Sequence, residues 1–170
     1  MRSLLASVIA AFVLAGGAVA QQRLPEPTGP VLLTVSGKIS VMNVGNTAAF
    51  DRAMLEALPR HQLKTSTVWT DGVKTFDGVL LRDVLARVGA AKGEGTIVKA
   101  TALNDYSIDI AVADFDRFDV LLAWSMDGER LTVRDKGPLW IVYPRDQFSE
   151  LHDERYDQRW AWQLNRLEVK

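Results

Sequence analysis

The sequence predicts an α+β domain with mixed or mostly antiparallel sheets and short flanking helices. Two short amphipathic segments stand among several β-rich runs, and the two types neither alternate strictly nor separate into blocks. The 170 residues are 48% hydrophobic and include no cysteine. A chain of this length predicts one domain, and its core must be held by burial alone because no disulfide can form.

The first twenty residues have the features of a Sec-type signal peptide. Arg2 supplies a positive start, residues 4–14 form an apolar core too short to span a bilayer comfortably, and residues 18–20 form a small-x-small cleavage signature. Twin arginines, typical of export signals for prefolded, metal-loaded proteins, are absent. Cleavage after Ala20 predicts a periplasmic protein that does not insert in the membrane; a retained anchor is the alternative.

The next segment, residues 21–30, is polar and contains three prolines, which favours a linker or an ordered arm. Residues 31–170 are then expected to form the single domain. The formal net charge of −1 lacks the basic excess of nucleic-acid-binding proteins, so no nucleic-acid partner is expected.

The first part of the domain is predicted to be a strand followed by a helix. Residues 31–35 are rich in β-branched and apolar side chains and stop at Gly37. Asn46 or Thr47 is expected to cap a helix that Pro59 closes. Its apolar residues at four-residue spacing are Phe50, Met54 and Leu58.

A second helix is predicted just before Gly89, which is suited to end it in the left-handed conformation. Its apolar face is Leu81, Val84, Leu85 and Val88. The rest of the chain is β-rich, with a tight turn at Asp127-Gly128. The predicted strands are residues 96–102, 106–112, 120–126, 131–133, 138–143 and 160–169.

Three segments, in their order along the chain, resemble the oxidoreductase molybdopterin-binding domain, the sulfite-oxidase fold, over residues 30–170. They run from Phe76-Asp-Gly78 to Gly89, from Met126 to Asp146, and from Trp160 to Leu164. The resemblance implies a pterin cofactor whose molybdenum is held by one cysteine thiolate. Without cysteine, Ser66, Thr67 or Trp69 is expected near that position. Hydroxyls are poor substitutes for a thiolate, so no molybdenum is expected.

The pterin implied by this resemblance needs an aromatic face and a carboxylate for its ring-edge hydrogens. Trp69 is the predicted face, and Asp71 or Asp105 the predicted carboxylate. Thr70, next to Trp69, and Tyr106, next to Asp105, complete this part of the ligand-binding set. The ordinary alternative is a polar strand and turn, in which the aspartates cap their own backbone and the tyrosine packs.

Tyr143 and Arg145 are further predicted ligand-binding residues, because the resemblance implies that their strand leads to the cofactor edge. The Arg145 guanidinium suits a carboxylate, phosphate or polyol. A surface ion pair from Arg145 to Asp146 or Glu150 is the alternative. Trp160 and Trp162, two apart on a predicted strand, are expected to project to one face, to cover a ligand, meet a partner or pack.

Other catalytic or metal chemistry has little support in the sequence. The two histidines, His61 and His152, have no zinc-type spacing, and there is no Gly-x-Ser-x-Gly elbow. Alternating acids at Asp114 and Asp116 are most simply a solvated short helix or turn. No catalytic or metal-binding residue is therefore predicted.

Among members of this fold, the chain most resembles small secreted, cysteine-free pterin-binding regulators. That resemblance implies a non-enzymatic periplasmic protein that binds a reduced pterin. It also implies docking on the periplasmic domain of an inner-membrane GGDEF/EAL protein that makes and degrades cyclic di-GMP, and so control of attachment and biofilm formation. The alternatives are a molybdopterin-dependent oxidoreductase that lacks the usual cysteine, and an interaction protein with an empty pocket.

Overall fold

The computed structural model describes residues 23–170, so the predicted signal peptide lies outside the described residues. The described chain forms ten strands, four short α-helices and two 3-10 helices. The strands are β1 Val31–Gly37, β2 Ala48–Asp51, β3 Arg60–Ser66, β4 Val73–Leu80, β5 Ile97–Ala102, β6 Ser107–Ala111, β7 Leu121–Met126, β8 Glu129–Arg130, β9 Trp140–Val142 and β10 Leu164–Val169. The helices are α1 Arg52–Glu56, α2 Leu81–Arg87, α3 Val112–Arg117 and α4 Glu154–Asp157, with 3-10 helices at Arg145–Gln147 and Ser149–His152.

The strands form two sheets, which confirms the predicted α+β class. One sheet has the order β2-β1-β10-β5-β6 and is mixed, because β1 and β10 run parallel while the other pairs are antiparallel. The second has the order β3-β4-β7-β8, with β9 also pairing β7, and is antiparallel throughout. Within residues 23–170, no helix has the length and apolar character needed to cross a bilayer.

The hydrophobic core confirms the predicted face of α2. All four predicted apolar residues of that helix are buried, and Gly89 follows it with a φ of 58°. Strand β9 is buried along its whole length because both of its faces are covered. The largest fully buried side chains are Trp140, Trp160, Tyr143, Phe50, Phe76, Phe115 and Phe118.

The first predicted helix is wrong in its N-terminal part. Residues 48–51 form β2, whose four residues are all buried, and α1 begins only at Arg52. The cap is Asp51, whose side chain accepts a hydrogen bond from the Met54 amide, rather than Asn46 or Thr47. Phe50 matches a helical spacing, but its pairing opposite Leu33 in β1 overrides that local pattern.

Two of the predicted β runs, 131–133 and 160–169, also differ from the structure. The turn at Asp127-Gly128 is confirmed, but the paired residues after it are Glu129 and Arg130, not 131–133. The run 160–169 is strand only from Leu164, because Gln163 has a φ of 53° that interrupts the extended backbone. Trp160 and Trp162 are therefore presented by a loop.

The Phe76-Asp-Gly78 segment lies where β4 and β7 pack tightly against each other. A Cβ on Gly78 would lie 2.1 Å from the Leu122 carbonyl oxygen, and the register shifts between Asp77 and Gly78. Asp77 is buried and accepts hydrogen bonds from Arg60 at 2.9 Å and from Gln62 at 3.3 Å. This segment therefore fixes how the strands of the second sheet fit together.

The arm before β1 is fastened to the domain by Asp51. The backbone amides of Thr28 and Gly29 donate to Asp51 Oδ2 at 2.8 and 2.9 Å. Asp51 Oδ1 accepts from the Met54 amide at 2.9 Å, so one carboxylate joins the arm to the start of α1. The Met54 and Gly29 hydrogen bonds hold the pKa of Asp51 below its ordinary value.

Asp51→Asn is expected to make the protein less stable at neutral pH. Because the folded-state pKa is lowered, the ionised carboxylate stabilises the fold above the unfolded-state pKa, and this contribution disappears as the pH falls through the folded-state pKa. The difference in melting temperature between wild type and variant should therefore be largest near neutrality and should close at acidic pH. Circular-dichroism melts over a pH series measure it, with the exposed Asp116→Asn as control. A pH-independent difference would contradict this account.

Candidate functional site

An aromatic cavity of about 230 Å³ opens where the β3–β4 connection meets the edge of the mixed sheet. One wall comes from Trp69 and another from the end of β5 and the start of β6. The third comes from the end of α4 and the loop before β10. This opening, the Trp69 cavity, is lined by Trp69, Ala102, Asn104, Tyr106, Asp157, Gln158, Trp160, Ala161 and Trp162.

Three tryptophans form the aromatic part of the Trp69 cavity. The Trp69 ring lies 5.6 Å from that of Trp160 at an interplanar angle of 53°, and 5.4 Å from that of Trp162 at 78°. Such tilted and edge-on contacts stabilise the rings. Trp160 is buried, whereas Trp69 and Trp162 are half-buried. A planar ligand ring can therefore contact indole surface here.

The Trp69 indole is positioned by a turn that its neighbouring threonines build. Thr67 is 7% exposed, and its Oγ1 accepts a hydrogen bond from the Trp69 amide at 3.0 Å. The same oxygen lies 2.9 Å from Thr70 Oγ1. Thr70 thus supports the turn and does not line the cavity. Ser66, before the turn, donates from its amide and hydroxyl to Asp146 and lowers the pKa of that carboxyl.

Tyr106, one of the residues predicted to bind the ligand, borders the Trp69 cavity. Its hydroxyl donates to the Gln158 carbonyl oxygen at 2.8 Å, which ties the start of β6 to the end of α4. The ring remains 44% exposed. The Tyr106 amide donates to Asn104 Oδ1 at 3.2 Å, so the turn before β6 helps to position the Tyr106 backbone.

The two aspartates predicted from the sequence do not line the cavity. Asp71 is exposed in the β3–β4 connection. Asp105 has a φ of 65°, its side chain is 87% exposed, and it pairs with Arg166 at 3.0 Å on the outer face of the mixed sheet. The carboxylate that does line the cavity is Asp157, which sequence reasoning missed. The one local signal is its position three residues before Trp160, a residue already singled out.

Tyr143 and Arg145 also lie outside the cavity lining. Tyr143 is fully buried, and its hydroxyl donates to Asp114 Oδ2 at 3.1 Å. Burial, together with the nearby Asp114 charge, raises the pKa of Tyr143 well above its ordinary value. Arg145 Nε is covered from solvent and has no hydrogen-bond partner among residues 23–170. Its expected acidic partners are engaged elsewhere: Asp146 binds Ser66, and Glu150 binds Arg117.

A buried charge network supports the cavity wall from behind. Asp114 on α3 is 9% exposed and forms an ion pair with Arg159, which lies between the lining residues Gln158 and Trp160. The Arg159 guanidinium also lies 4.5 Å from the centre of the Tyr156 ring. Asp114 therefore is not the solvated residue expected from the alternating acids. Its carboxylate joins α3, Tyr143 just after β9, and the segment after α4.

Asp114→Ala is expected to lower the free energy of unfolding by about 2–4 kcal/mol. The substitution leaves the Tyr143 hydroxyl unpaired in the core and removes the partner of Arg159, whose side chain is 26% exposed. Urea unfolding followed by circular dichroism measures the loss. Asp116→Ala, on the exposed side of α3, is the matched control and should change stability by no more than about 0.5 kcal/mol. Equal effects of the two substitutions would contradict this role.

Comparison with known proteins identifies the fold. Residues 32–149 match the family model of the oxidoreductase molybdopterin binding domain. The crystal structure of the sulfane dehydrogenase SoxCD from Paracoccus pantotrophus matches with a TM-score of 0.60 and 20% sequence identity, over 81% of this chain and 37% of that chain. The chain thus spans well under half of SoxCD, and at this identity the likeness shows the fold alone. No curated protein matches the sequence.

The family match corrects one expectation from the sequence. A chain without an enzymatic role was expected, but the matching model describes an oxidoreductase domain, and the structural neighbour is a dehydrogenase. The absence of cysteine, serine elbows and histidine pairs excluded several catalytic designs. It did not exclude descent from a cofactor enzyme, because there the cofactor carries the chemistry. The chain is therefore enzyme-related by family.

The residues around the Trp69 cavity fit the pterin part of the family's cofactor but offer no thiolate for its metal. Asp157 Oδ1 and Trp160 Nε1 are covered from solvent and lack hydrogen-bond partners among the described residues. The cavity volume of about 230 Å³ is below the roughly 300–1,000 Å³ usual for drug-sized ligands. This volume suits one bicyclic ring system. The sequence has no cysteine, and residues 23–170 contain no group of three metal-ligating side chains.

Proposed function

The chain belongs to the oxidoreductase molybdopterin-binding domain family, and on that premise we propose that it binds a reduced pterin in the Trp69 cavity. The observation that carries the proposal is the cavity itself. Trp69, Trp160 and Trp162 supply indole surface beside a carboxylate, Asp157. A pterin is a flat, polar bicycle, and these are the two kinds of group that hold such a ring.

The binding half of the proposal is tested with ligand-free protein. The purified chain is unfolded, separated from small molecules, refolded and titrated with tetrahydropterin under anaerobic conditions, with tryptophan fluorescence and calorimetry as readouts. Quenching with one equivalent bound per chain supports the proposal, because three indoles border the cavity. A correctly refolded protein that neither quenches nor releases heat with any pterin would overturn it.

The proposed place of action is the periplasm. Residues 1–20 have the charge, apolar core and cleavage signature of a Sec signal. Fractionation of the producing bacterium, with mass measurement of the mature N-terminus, tests this point. A periplasmic chain that begins at Gln21 is the expected result, and a full-length cytoplasmic chain would overturn it.

The proposed partner is the periplasmic domain of an inner-membrane protein that makes and degrades cyclic di-GMP, so that pterin binding controls attachment and biofilm formation. The resemblance to small secreted pterin-binding regulators supports this step. Thermodynamic linkage requires that the pterin change the affinity for the partner, commonly by about 5- to 150-fold. The test measures binding of the partner's periplasmic domain with and without pterin, and cyclic di-GMP in cells that lack the chain. Equal affinity in both conditions, with no change in cyclic di-GMP, would overturn the relay.

A molybdopterin-dependent oxidoreductase is the second candidate, and the family match is the observation that favours it. In that case the chain's own residues would hold the cofactor through its pterin, since the sequence supplies no thiolate. Elemental analysis of protein made in a molybdenum-replete host separates the candidates. One molybdenum per chain together with a pterin favours the oxidoreductase, and a pterin without metal favours the first proposal.

A further inference from the structure

One wall of the Trp69 cavity carries an acceptor and a donor that the protein leaves unused. Asp157 lies at the end of α4 and Trp160 in the loop three residues later, and both line the cavity. Asp157 Oδ1 and Trp160 Nε1 are each covered from solvent without a hydrogen-bond partner among residues 23–170. Most buried polar atoms in proteins are paired, so two unpaired atoms on residues that line one cavity require an explanation.

Three nearby donors already bind other groups of the protein. The Tyr106 hydroxyl, which lines the same cavity, donates instead to the Gln158 carbonyl oxygen. Arg159, the cation next to Trp160 in the chain, is held by Asp114. The neighbouring Trp69 amide is bound by Thr67 Oγ1. These three donors are thus committed elsewhere, and a ligand can supply partners for the two unpaired atoms.

We infer that Asp157 and Trp160 recognise the ring edge of a 2-amino-4-oxo pyrimidine, the half of the molecule that all pterins share. This edge presents two adjacent N–H donors, from the 2-amino group and N3, followed by the O4 acceptor. The Asp157 carboxylate accepts from the two donors, and the Trp160 indole N–H donates to O4. The inference deepens the proposed function and rests on it, because it takes the Trp69 cavity to be the pterin site.

The inference makes Asp157 a residue that determines specificity, which Trp69 alone cannot be. Indole surface accepts any flat ring of suitable size, including lumazine, whose ring carries an oxo group in place of the 2-amino group. With lumazine, an oxygen faces the carboxylate where a donor is needed. Sites built to hydrogen-bond a donor reject analogues that lack it, because the site's own polar group stays unpaired.

The test compares pterin and lumazine as a matched pair of probes on the wild-type chain and on two variants. Wild type should bind pterin at least about tenfold more tightly than lumazine, where tenfold corresponds to about 1.4 kcal/mol. Asp157→Asn should weaken pterin binding by a similar factor and bring the ratio close to one, since its amide can donate to the lumazine oxygen. Asp71→Asn, at the exposed predicted carboxylate, is the control and should keep the wild-type ratio.

The outcomes separate this inference from the proposal on which it rests. Failure of wild type to bind either probe would overturn both. Tight binding of both probes with equal affinity would overturn the inference and leave the aromatic site in place. The inference is also overturned, with the aromatic site left in place, if Asp157→Asn keeps the wild-type preference for pterin over lumazine. A circular-dichroism melt shows that this variant is folded. The wild-type ratio needs no variant and so does not depend on how well Asp157→Asn folds.

Discussion

Trp69→Ala is expected to weaken pterin binding by about 5- to 150-fold while the protein remains folded. Aromatic stacking on a heterocyclic base contributes about 1–3 kcal/mol per ring in comparable sites, which corresponds to that range. The Trp69 ring is half-buried and lies at the cavity, in contact with Trp160 and Trp162. Its loss should lower the free energy of unfolding by only about 1–2 kcal/mol.

Trp69→Phe is the matched control, because phenylalanine keeps a stacking face in the turn that Thr67 supports. Trp69→Phe should retain most of the pterin affinity if the aromatic face of Trp69 holds the ligand. If the indole N–H held it instead, Trp69→Phe would lose affinity as Trp69→Ala does. Titrations monitored by calorimetry give the affinities, and urea unfolding gives the stability. Wild-type affinity in folded Trp69→Ala protein would show that the ligand lies elsewhere or that the cavity is empty.

Gly78→Ala is expected to cause the largest loss of stability, about 3 kcal/mol or more, and to leave little folded protein. An added Cβ would lie 2.1 Å from the Leu122 oxygen and 2.9 Å from the Ala123 Cα. These are backbone atoms of the neighbouring strand, so no side-chain rotation can relieve the contact, and β4 and β7 must separate. Yield of soluble protein and urea unfolding measure the effect.

Gly93→Ala is the control for this substitution. Its added Cβ would meet only Thr96 Oγ1 at 3.7 Å, an ordinary contact. We therefore expect a change in unfolding free energy within about 0.5 kcal/mol, as for most surface substitutions. If Gly78→Ala unfolds at the wild-type urea concentration, the proposed close approach of the two strands is wrong.

The sequence predicted those parts of the fold whose signals are local. The apolar face of α2 and its terminal Gly89 follow from spacing and from the conformational freedom of glycine, and both are confirmed. The turn at Asp127-Gly128 is confirmed for the same reason. Strand β2 was missed because Phe50 has a spacing that suits a helix, and only its pairing with β1 decides otherwise.

The candidate site was predictable only in part, because its walls come from distant parts of the chain. Trp69, predicted as the aromatic face for a pterin, and Tyr106, predicted from its place beside Asp105, both line the cavity. Asp157 reaches the same cavity from α4, and no spacing in the sequence connects it with Trp69. Tyr143 was predicted because the resemblance implies that its strand leads to the cofactor edge, but the buried residues Ile141 and Val142 before it show that this strand runs through the core.

The central claim is that this chain holds a pterin, and the small molecule bound to protein isolated from the periplasm tests it most directly. The protein is purified without denaturation and then unfolded, and the released material is analysed by mass spectrometry and fluorescence, with molybdenum measured on the same sample. The account predicts about one pterin per chain, reduced in amount in Trp69→Ala protein. Folded protein that releases no pterin, and binds none when it is added, would contradict the account.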